Sequence, residues 1–324
     1  MTARGGVKVS HLGTYLGLVL TSFFWGTSFA AAKIGMSELL PVNLVILRFI
    51  LASLLFGVAL IFLRRNVWRI ELADLPRLVW LGFLGVSAYF VVQYYGLTHT
   101  TSVNTALIIG TSPIITGLLA ARVGGERLVR QHYVGMLVAF VGLFLLITKG
   151  NFYLTHGESV LKGDLLILFN AVMWSCFTLA GKRVVGKYDP FVVVAYLSLL
   201  GTLLLLPLAF ISTPLTRVTF VQQLPTLSLA TWGAAGYLAL TCSVIGYFFW
   251  YRGVQRLGAA KTAMFTYLNP LVALVTSLIL FDENITGLVL VGGALVLTGV
   301  YLTTRTRADE PQAEMVAEQK VISN

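Results

Sequence analysis

The chain has 324 residues, 57% of them hydrophobic and only 11% charged, with a mean hydropathy of +0.85 and a formal net charge of +10. An ordinary soluble domain carries about 25% charged residues, so the composition excludes a water-facing globule. The basic residues fall in short loops between apolar runs, which is a pattern of membrane topology and excludes a nucleic-acid groove.

Ten apolar runs follow one another, at about 12–34, 41–63, 76–97, 101–122, 132–149, 163–185, 190–211, 229–251, 259–281 and 286–303. Each approaches the roughly 20 residues that cross a bilayer as a helix. Lipid offers the backbone no hydrogen bonds, which leaves helices or a closed barrel, and runs this continuous exclude the barrel. The first run follows Arg4 and Lys8 and is longer than the ~7–15 residues of a signal-peptide core, so it reads as a membrane helix. Lys and Arg near the ends of the runs divide 18 to 3 between the two sides. That places both termini in the cytoplasm. The tail over 304–324 reads as a disordered cytoplasmic extension.

A motif occurs twice. Gly96, Thr105, Ala106, Pro113 and Glu126 recur at identical spacing as Gly253, Thr262, Ala263, Pro270 and Glu283. The same offset of 157 pairs Tyr94 with Tyr251, Gly135 with Gly292 and Gly142 with Gly299. An offset of 149 pairs Trp25 with Trp174, Lys33 with Lys182 and Pro41 with Pro190. The chain is therefore five helices duplicated, 12–149 and 163–303. Five is odd, so the second copy enters the membrane inverted. The fold expected is an all-α integral membrane protein, ten transmembrane helices forming two inverted five-helix repeats around a central cavity. Such repeats are a recurring plan of secondary transporters, with the site at their interface.

With W-G-T-S-F at Trp25–Phe29, L-R-F at Leu47–Phe49 and a T-A-x6-P helix followed by Gly125–Glu126, the chain resembles the drug/metabolite transporter superfamily. It is most similar to the EamA-type ten-helix exporters of bacteria. The resemblance spans about 12 to 303. It implies a basket of helices around a cavity, a place in the bacterial inner membrane, and export of small metabolites such as amino acids. The second half departs from the pattern, with Ser175 after Trp174 and Leu197 opposite Arg48.

Pro113 and Pro270 interrupt the fourth and ninth helices at mid-depth. Proline strips the carbonyl four residues back of its partner, which frees polar groups near Ser112, Thr266 and Asn269, with Asn104 on the same helix as Ser112. Each proline alone also reads as a packing kink; two at matching positions point to a substrate-facing break. Trp25, Tyr89, Gln93, Trp174 and Tyr247 read as cavity lining. Trp68, Trp80 and Trp232 lie near helix ends and read as an interfacial belt, to which Trp250 and Tyr251 also fit. Arg48 reads as a clamp for a substrate carboxylate, as a snorkelling side chain, or as the partner of Glu38. The sequence does not choose.

All thirteen Asp and Glu residues lie in loops, tails or helix ends, leaving Glu126, Asp164 and Glu283 as the groups nearest to a coupling role. No H-E-x-x-H, P-loop or cysteine cluster occurs, so no metal, cofactor or catalytic residue is expected, and the chain does not read as an enzyme. The expected partners are a small-molecule substrate and the lipid bilayer, not nucleic acid, for a monomer or homodimer. The leading reading is an exporter of amino acids or related aromatic or cationic compounds. A nucleotide-sugar or sugar-phosphate carrier would want several buried cations, where Arg48 alone lies clearly inside. A non-transporting membrane scaffold would not need paired helix breaks.

Overall fold

The computed structural model describes residues 11–62, 69–149, 158–212, 217–281 and 287–305. Ten long helices run through it. The first repeat contains α1 (Leu12–Gly35), α2 (Pro41–Phe62), α3 (pieces Leu75–Gly82, Phe83–Ser87 and Ala88–Leu97), α4 (pieces Ser102–Ile109 and Ser112–Arg122) and α5 (Arg130–Thr148). The second contains α6 (Glu158–Val185), α7 (Pro190–Phe210), α8 (Leu229–Tyr237, Leu238–Gly246, Tyr247–Leu257), α9 (Ala259–Ala263, Met264–Tyr267, Leu268–Phe281) and α10 (Gly287–Arg305). Among the described residues nine of these are long and apolar enough to cross a membrane, and α9, helical throughout, is the tenth crossing. The expected Asp282–Glu283 turn, Trp68 and the tail beyond Arg305 lie outside the described residues.

Local chemistry sets the helix ends. The Thr101, Asp189 and Ser228 side chains accept backbone N–H groups at the starts of α4, α7 and α8. Pro190 needs no partner at the first position of α7. The sixth helix starts at Glu158 rather than 163, and the eighth continues to Leu257 rather than 251. Polar Glu158 and Lys162, and Arg252 and Arg256, conceal those turns from a hydropathy reading without disfavouring helix. At most half of each span is buried in the protein. Large side chains such as Leu16, Phe23, Leu54, Leu137, Phe169 and Leu203 face outward, as hydrocarbon requires.

Packing crosses between the repeats more than it stays within them. Helix α1 lies against α8 and α9, and α6 lies against α3 and α4. Helix α2 packs on α7 and α8, and α7 packs on α2 and α3. Exchanging the repeats maps each of these pairs onto another, as a two-fold axis would.

The α5–α10 pair crosses most closely. A Cβ at Gly142 would lie 2.6 Å from the Gly292 carbonyl and 2.6 Å from the Val296 nitrogen, and one at Gly135 would lie 2.8 Å from the Gly299 carbonyl. Gly135 and Gly292, and Gly142 and Gly299, are repeat mates in sequence. In space the mates exchange, Gly142 meeting Gly292 and Gly135 meeting Gly299, because each helix is the other's copy.

Two polar ties join corresponding places at opposite faces. On the basic face, Lys187 Nζ and Tyr188 Oη each donate to Asp74 at 2.7 Å. On the far face, the Glu38 carboxylate accepts from the Ser228 amide at 2.9 Å and the Thr231 hydroxyl at 2.7 Å. Lys187 and Glu38 are repeat mates, as are Asp74 and Thr231, so charge is reversed while position is kept. Bonds from Lys187 and then Tyr188 hold the Asp74 carboxyl down to about 2. The Ser228 amide, followed by the Thr231 hydroxyl, lowers that of Glu38. For a depressed carboxyl, the stabilisation is complete above the unfolded pKa, roughly 3.9 for Asp. It is lost as pH falls toward 2. Asp74→Asn is therefore expected to lower the melting temperature of the purified protein at pH 7, with the difference from wild type shrinking below pH 4.

Candidate functional site at the repeat interface

The repeat mates Trp25 and Trp174 meet at the centre of the molecule, ring centroids 5.5 Å apart. Trp250 lies 5.3 Å from each of them, and Tyr247 about as close, at 6.1 and 6.0 Å. Tyr89 stands 5.3 Å from Trp174. These rings form a floor. Trp174, Tyr247 and Trp250 are buried, and Trp25 and Tyr89 are half-buried. Above the floor toward the far face, Gln93 and Tyr94 of α3, Ala30–Ala32 of α1 and Asn269 of α9 are all partly open. Below it, Tyr251, Val254, Met264 and Ala259 are closed off. Trp250 and Tyr251 are thus core residues and not part of an interfacial belt, whereas Trp80 and Trp232 are exposed as a belt requires.

Arg48 reaches this centre. Its Nε donates to Ser243 Oγ at 2.7 Å, and its guanidinium lies 5.2 Å from the ring centroids of both Phe49 and Phe90. It neither snorkels nor pairs with Glu38, whose carboxylate is taken by Ser228 and Thr231.

Ser243 is placed by a feature the sequence did not reveal. Residues Leu238–Gly246 of α8 form π-helix, as do Phe83–Ser87 at the matching place in α3. The wider turn presents polar groups sideways. The Cys242 carbonyl accepts from Trp25 Nε1 at 3.2 Å, and Tyr247 Oη donates to the Gly85 carbonyl at 2.9 Å. Such segments gather at functional sites. No proline or glycine pattern marks this one.

The proline helices break where expected, just ahead of each proline. In α4 the helix gives way to a turn at Gly110–Thr111, and in α9 it tightens to 3₁₀ over Met264–Tyr267. One expected spare group is already used, because Ser112 Oγ donates to the Ile109 carbonyl at 2.5 Å. The breaks also mark helix crossings. A Cβ at Gly26 would lie 2.8 Å from the Asn269 carbonyl. At the mated positions, Ser175 Oγ donates to the Ser112 carbonyl at 3.2 Å. Serine in the second repeat thus makes a hydrogen bond at the crossing where glycine in the first allows close backbone approach.

The structure gathers Trp25, Arg48, Tyr89, Trp174 and Tyr247 into one cluster and sets Gln93, Thr266, Asn269 and Pro270 partly open beside it. Ser112 and Pro113 are buried in the α4–α6 contact. Asn104 is buried near the far face, where its amide donates to Asp164 at 3.1 Å and ties α4 to α6. Ser243 and Cys242 are site residues that helix-face reasoning missed, whereas Trp250 shares a helix face with Tyr247 by its spacing and joins the site rather than the belt.

The two faces differ in how they are closed. On the basic face Glu126 accepts from Lys182 Nζ and the Ala259 amide, both at 2.7 Å, and from the Ala260 amide at 3.1 Å. The start of α9 has no side-chain cap of its own, so a carboxylate from the other repeat satisfies it. Gly258, at φ +86°, takes a backbone conformation that suits glycine, and a Cβ there would lie 2.8–3.0 Å from the Glu126 carboxylate. Nearby, Tyr251 Oη donates to the Phe177 carbonyl at 3.2 Å and Gln255 Nε2 to the Val185 carbonyl at 2.5 Å, sealing α8 to α6. Exchanging the repeats predicts matching seals of α1 to α3 and of the start of α4 to the end of α9 at the far face. Among the described residues α1 and α3 do not pack closely, and Glu283, the mate of Glu126, lies outside them. Among the described residues these ties close the basic face and have no counterpart at the other.

A family model described as the EamA-like transporter family matches residues 12–148 and again residues 161–305. The chain belongs to that family. An "uncharacterized transporter" of Archaeoglobus fulgidus is 32% identical over 90% of this chain and 97% of its own length. A "probable terminal-alkyne amino-acid exporter" of Streptantibioticus cattleyicolor is 32% identical over 89% and 92%. A "probable amino-acid metabolite efflux pump" of Escherichia coli is 26% identical over 88% and 92%. A solved crystal structure superposes with a TM-score of 0.76 over 96% of this chain and 99% of its own, at 20% identity, which bears on the fold alone. The protein is a multi-pass membrane transporter of this family.

Proposed function

We propose that the protein exports small metabolites, foremost amino acids, across the bacterial inner membrane, with both termini in the cytoplasm, by alternating access of the ring-floored site to the two faces. The observation that carries this reading is the unequal closure of a two-fold-related fold. The seal of Tyr251 to Phe177 at the basic face has sequence-encoded counterparts in Tyr94 and Ser28, whose helices do not pack closely among the described residues. Rocking one set of helices against the other exchanges the two states. Relatives named as amino-acid exporters favour amino acids over other cargo. A sugar-phosphate cargo is disfavoured, because Arg48, held by Ser243 between Phe49 and Phe90, is the one cation that the described residues bring to this cluster.

Liposomes containing the purified protein are expected to release loaded amino acids faster than empty liposomes; equal release would sink the reading. Glu126 holds the resting closure. Bonds to charged groups contribute about 1.5–3 kcal/mol, and 1.4 kcal/mol is tenfold in population. Glu126→Gln is expected to raise the fraction open to the basic face roughly tenfold, measured as thiol labelling at Gly253→Cys.

A further inference from the structure

We propose that Arg48 is the docking point for a carboxylate, and that cargo is selected as a monocarboxylate with a flat apolar body whose amino group is dispensable. This rests on the transporter reading and sharpens its substrate class. Three observations carry it. Arg48 Nε is held by Ser243 Oγ at 2.7 Å, and Phe49 and Phe90 flank the guanidinium at 5.2 Å, so the side chain is fixed in direction. Its terminal amines meet no carboxylate among the described residues, yet the group is only partly open to solvent. A cation desolvated by its neighbours without a counter-ion gains most from a ligand that brings one. The guanidinium fork can hold a carboxylate through two parallel N–H bonds.

Beside this fork lies the floor of Trp25, Trp174 and Trp250, which suits an apolar or aromatic body. Ring faces attract an ammonium only weakly compared with an ion pair, and among the described residues no Asp or Glu stands at the floor to hold one. The positive field of Arg48 opposes a cationic cargo. A deaminated acid should therefore bind as an amino acid does, and the corresponding amine should not. A phosphate ester carries nearly two charges to a place that offers one, and binds less well than the acid.

The test uses the full-length protein and four probes with one ring: phenylalanine, 3-phenylpropionate, phenethylamine and phenyl phosphate. Binding is read from thermal stabilisation, and transport from proteoliposome flux. Phenylalanine and 3-phenylpropionate should both stabilise and be carried with affinities within about threefold of each other. Phenethylamine should be at least tenfold weaker. Arg48→Gln should remove that preference for acids, and Arg48→Lys should retain it in weakened form, having the charge without the fork. Ser243→Ala, which leaves Arg48 in place but frees its direction, should weaken both acids alike and provides a second reading if the Arg48 variants fold poorly. Stabilisation by phenethylamine equal to that by the acids, or an unchanged preference in Arg48→Gln, overturns the proposal. Flux of amines or neutral solutes with no response to either acid overturns it while leaving the transporter reading intact. Absence of flux for every metabolite removes the transporter reading itself.

Discussion

Gly181→Leu is expected to abolish transport by preventing closure of the basic face. A Cβ at this position would lie 2.0 Å from Tyr251 Cε1 and 2.4 Å from its hydroxyl. Tyr251 cannot step aside. Its ring is fully buried, packs on Phe177 with centroids 5.2 Å apart, and is anchored by its bond to the Phe177 carbonyl. The larger side chain must part α6 from α8 where they seal that face. Overpacking of this kind costs about 1–3 kcal/mol, and about 3 kcal/mol set against one of two states shifts their ratio by about a hundredfold. Ala32, the repeat mate of Gly181, is only partly buried, and its helix does not pack closely on α3 among the described residues. Ala32→Leu is therefore expected to disturb the present conformation less than Gly181→Leu does and to block the opposite closure. Both variants should lose flux in proteoliposomes, with thiol accessibility raised at opposite faces.

The largest loss of stability is expected at the α5–α10 crossing. In a bilayer, helices gain little from excluding water, so close backbone packing contributes much of their association. Gly142→Val would press a side chain onto the Gly292 carbonyl and Val296 nitrogen, and Gly292→Val onto the Gly142 carbonyl at 2.8 Å and the Leu146 nitrogen at 2.9 Å. The obstructing atoms are backbone, which cannot rotate away. The helices must separate and loosen the contacts of Met136, Ala139, Leu143 and Val296. Each substitution is expected to cost about 3 kcal/mol, at the upper end of overpacking losses. The double variant should cost less than the sum, because one separation accommodates both side chains. Thermal denaturation of the detergent-purified variants gives the measurement.

The ten crossings and the two repeats were legible because lipid imposes long apolar runs and because duplication leaves matching glycines and prolines. The glycine matches gained a physical meaning only in three dimensions, where Gly142 faces Gly292 instead of its own mate. Trp25 and Trp174 were legible as a pair because both lie deep in their helices and occupy one repeat position. The direction of Arg48 was not legible, since it depends on Ser243, 195 residues away, and on a π-helical turn without a sequence signature. The partners of Glu126 were hidden for the same reason, two of them being backbone amides of α9. Asn104 matched the cavity pattern by position along its helix, but Asp164 on a neighbouring helix holds it.

Exchange of closure between the faces is tested most directly by cross-linking the two mated seams in a background with Cys176 and Cys242 replaced by serine. One protein carries Gly181→Cys and Tyr251→Cys, the other Ala32→Cys and Tyr94→Cys. A short bifunctional thiol reagent should link the first pair readily without cargo and the second pair slowly. Either link alone should stop flux until it is cleaved. Equally rapid linking of both pairs without cargo, or continued flux with either seam locked, would contradict alternating access through this site.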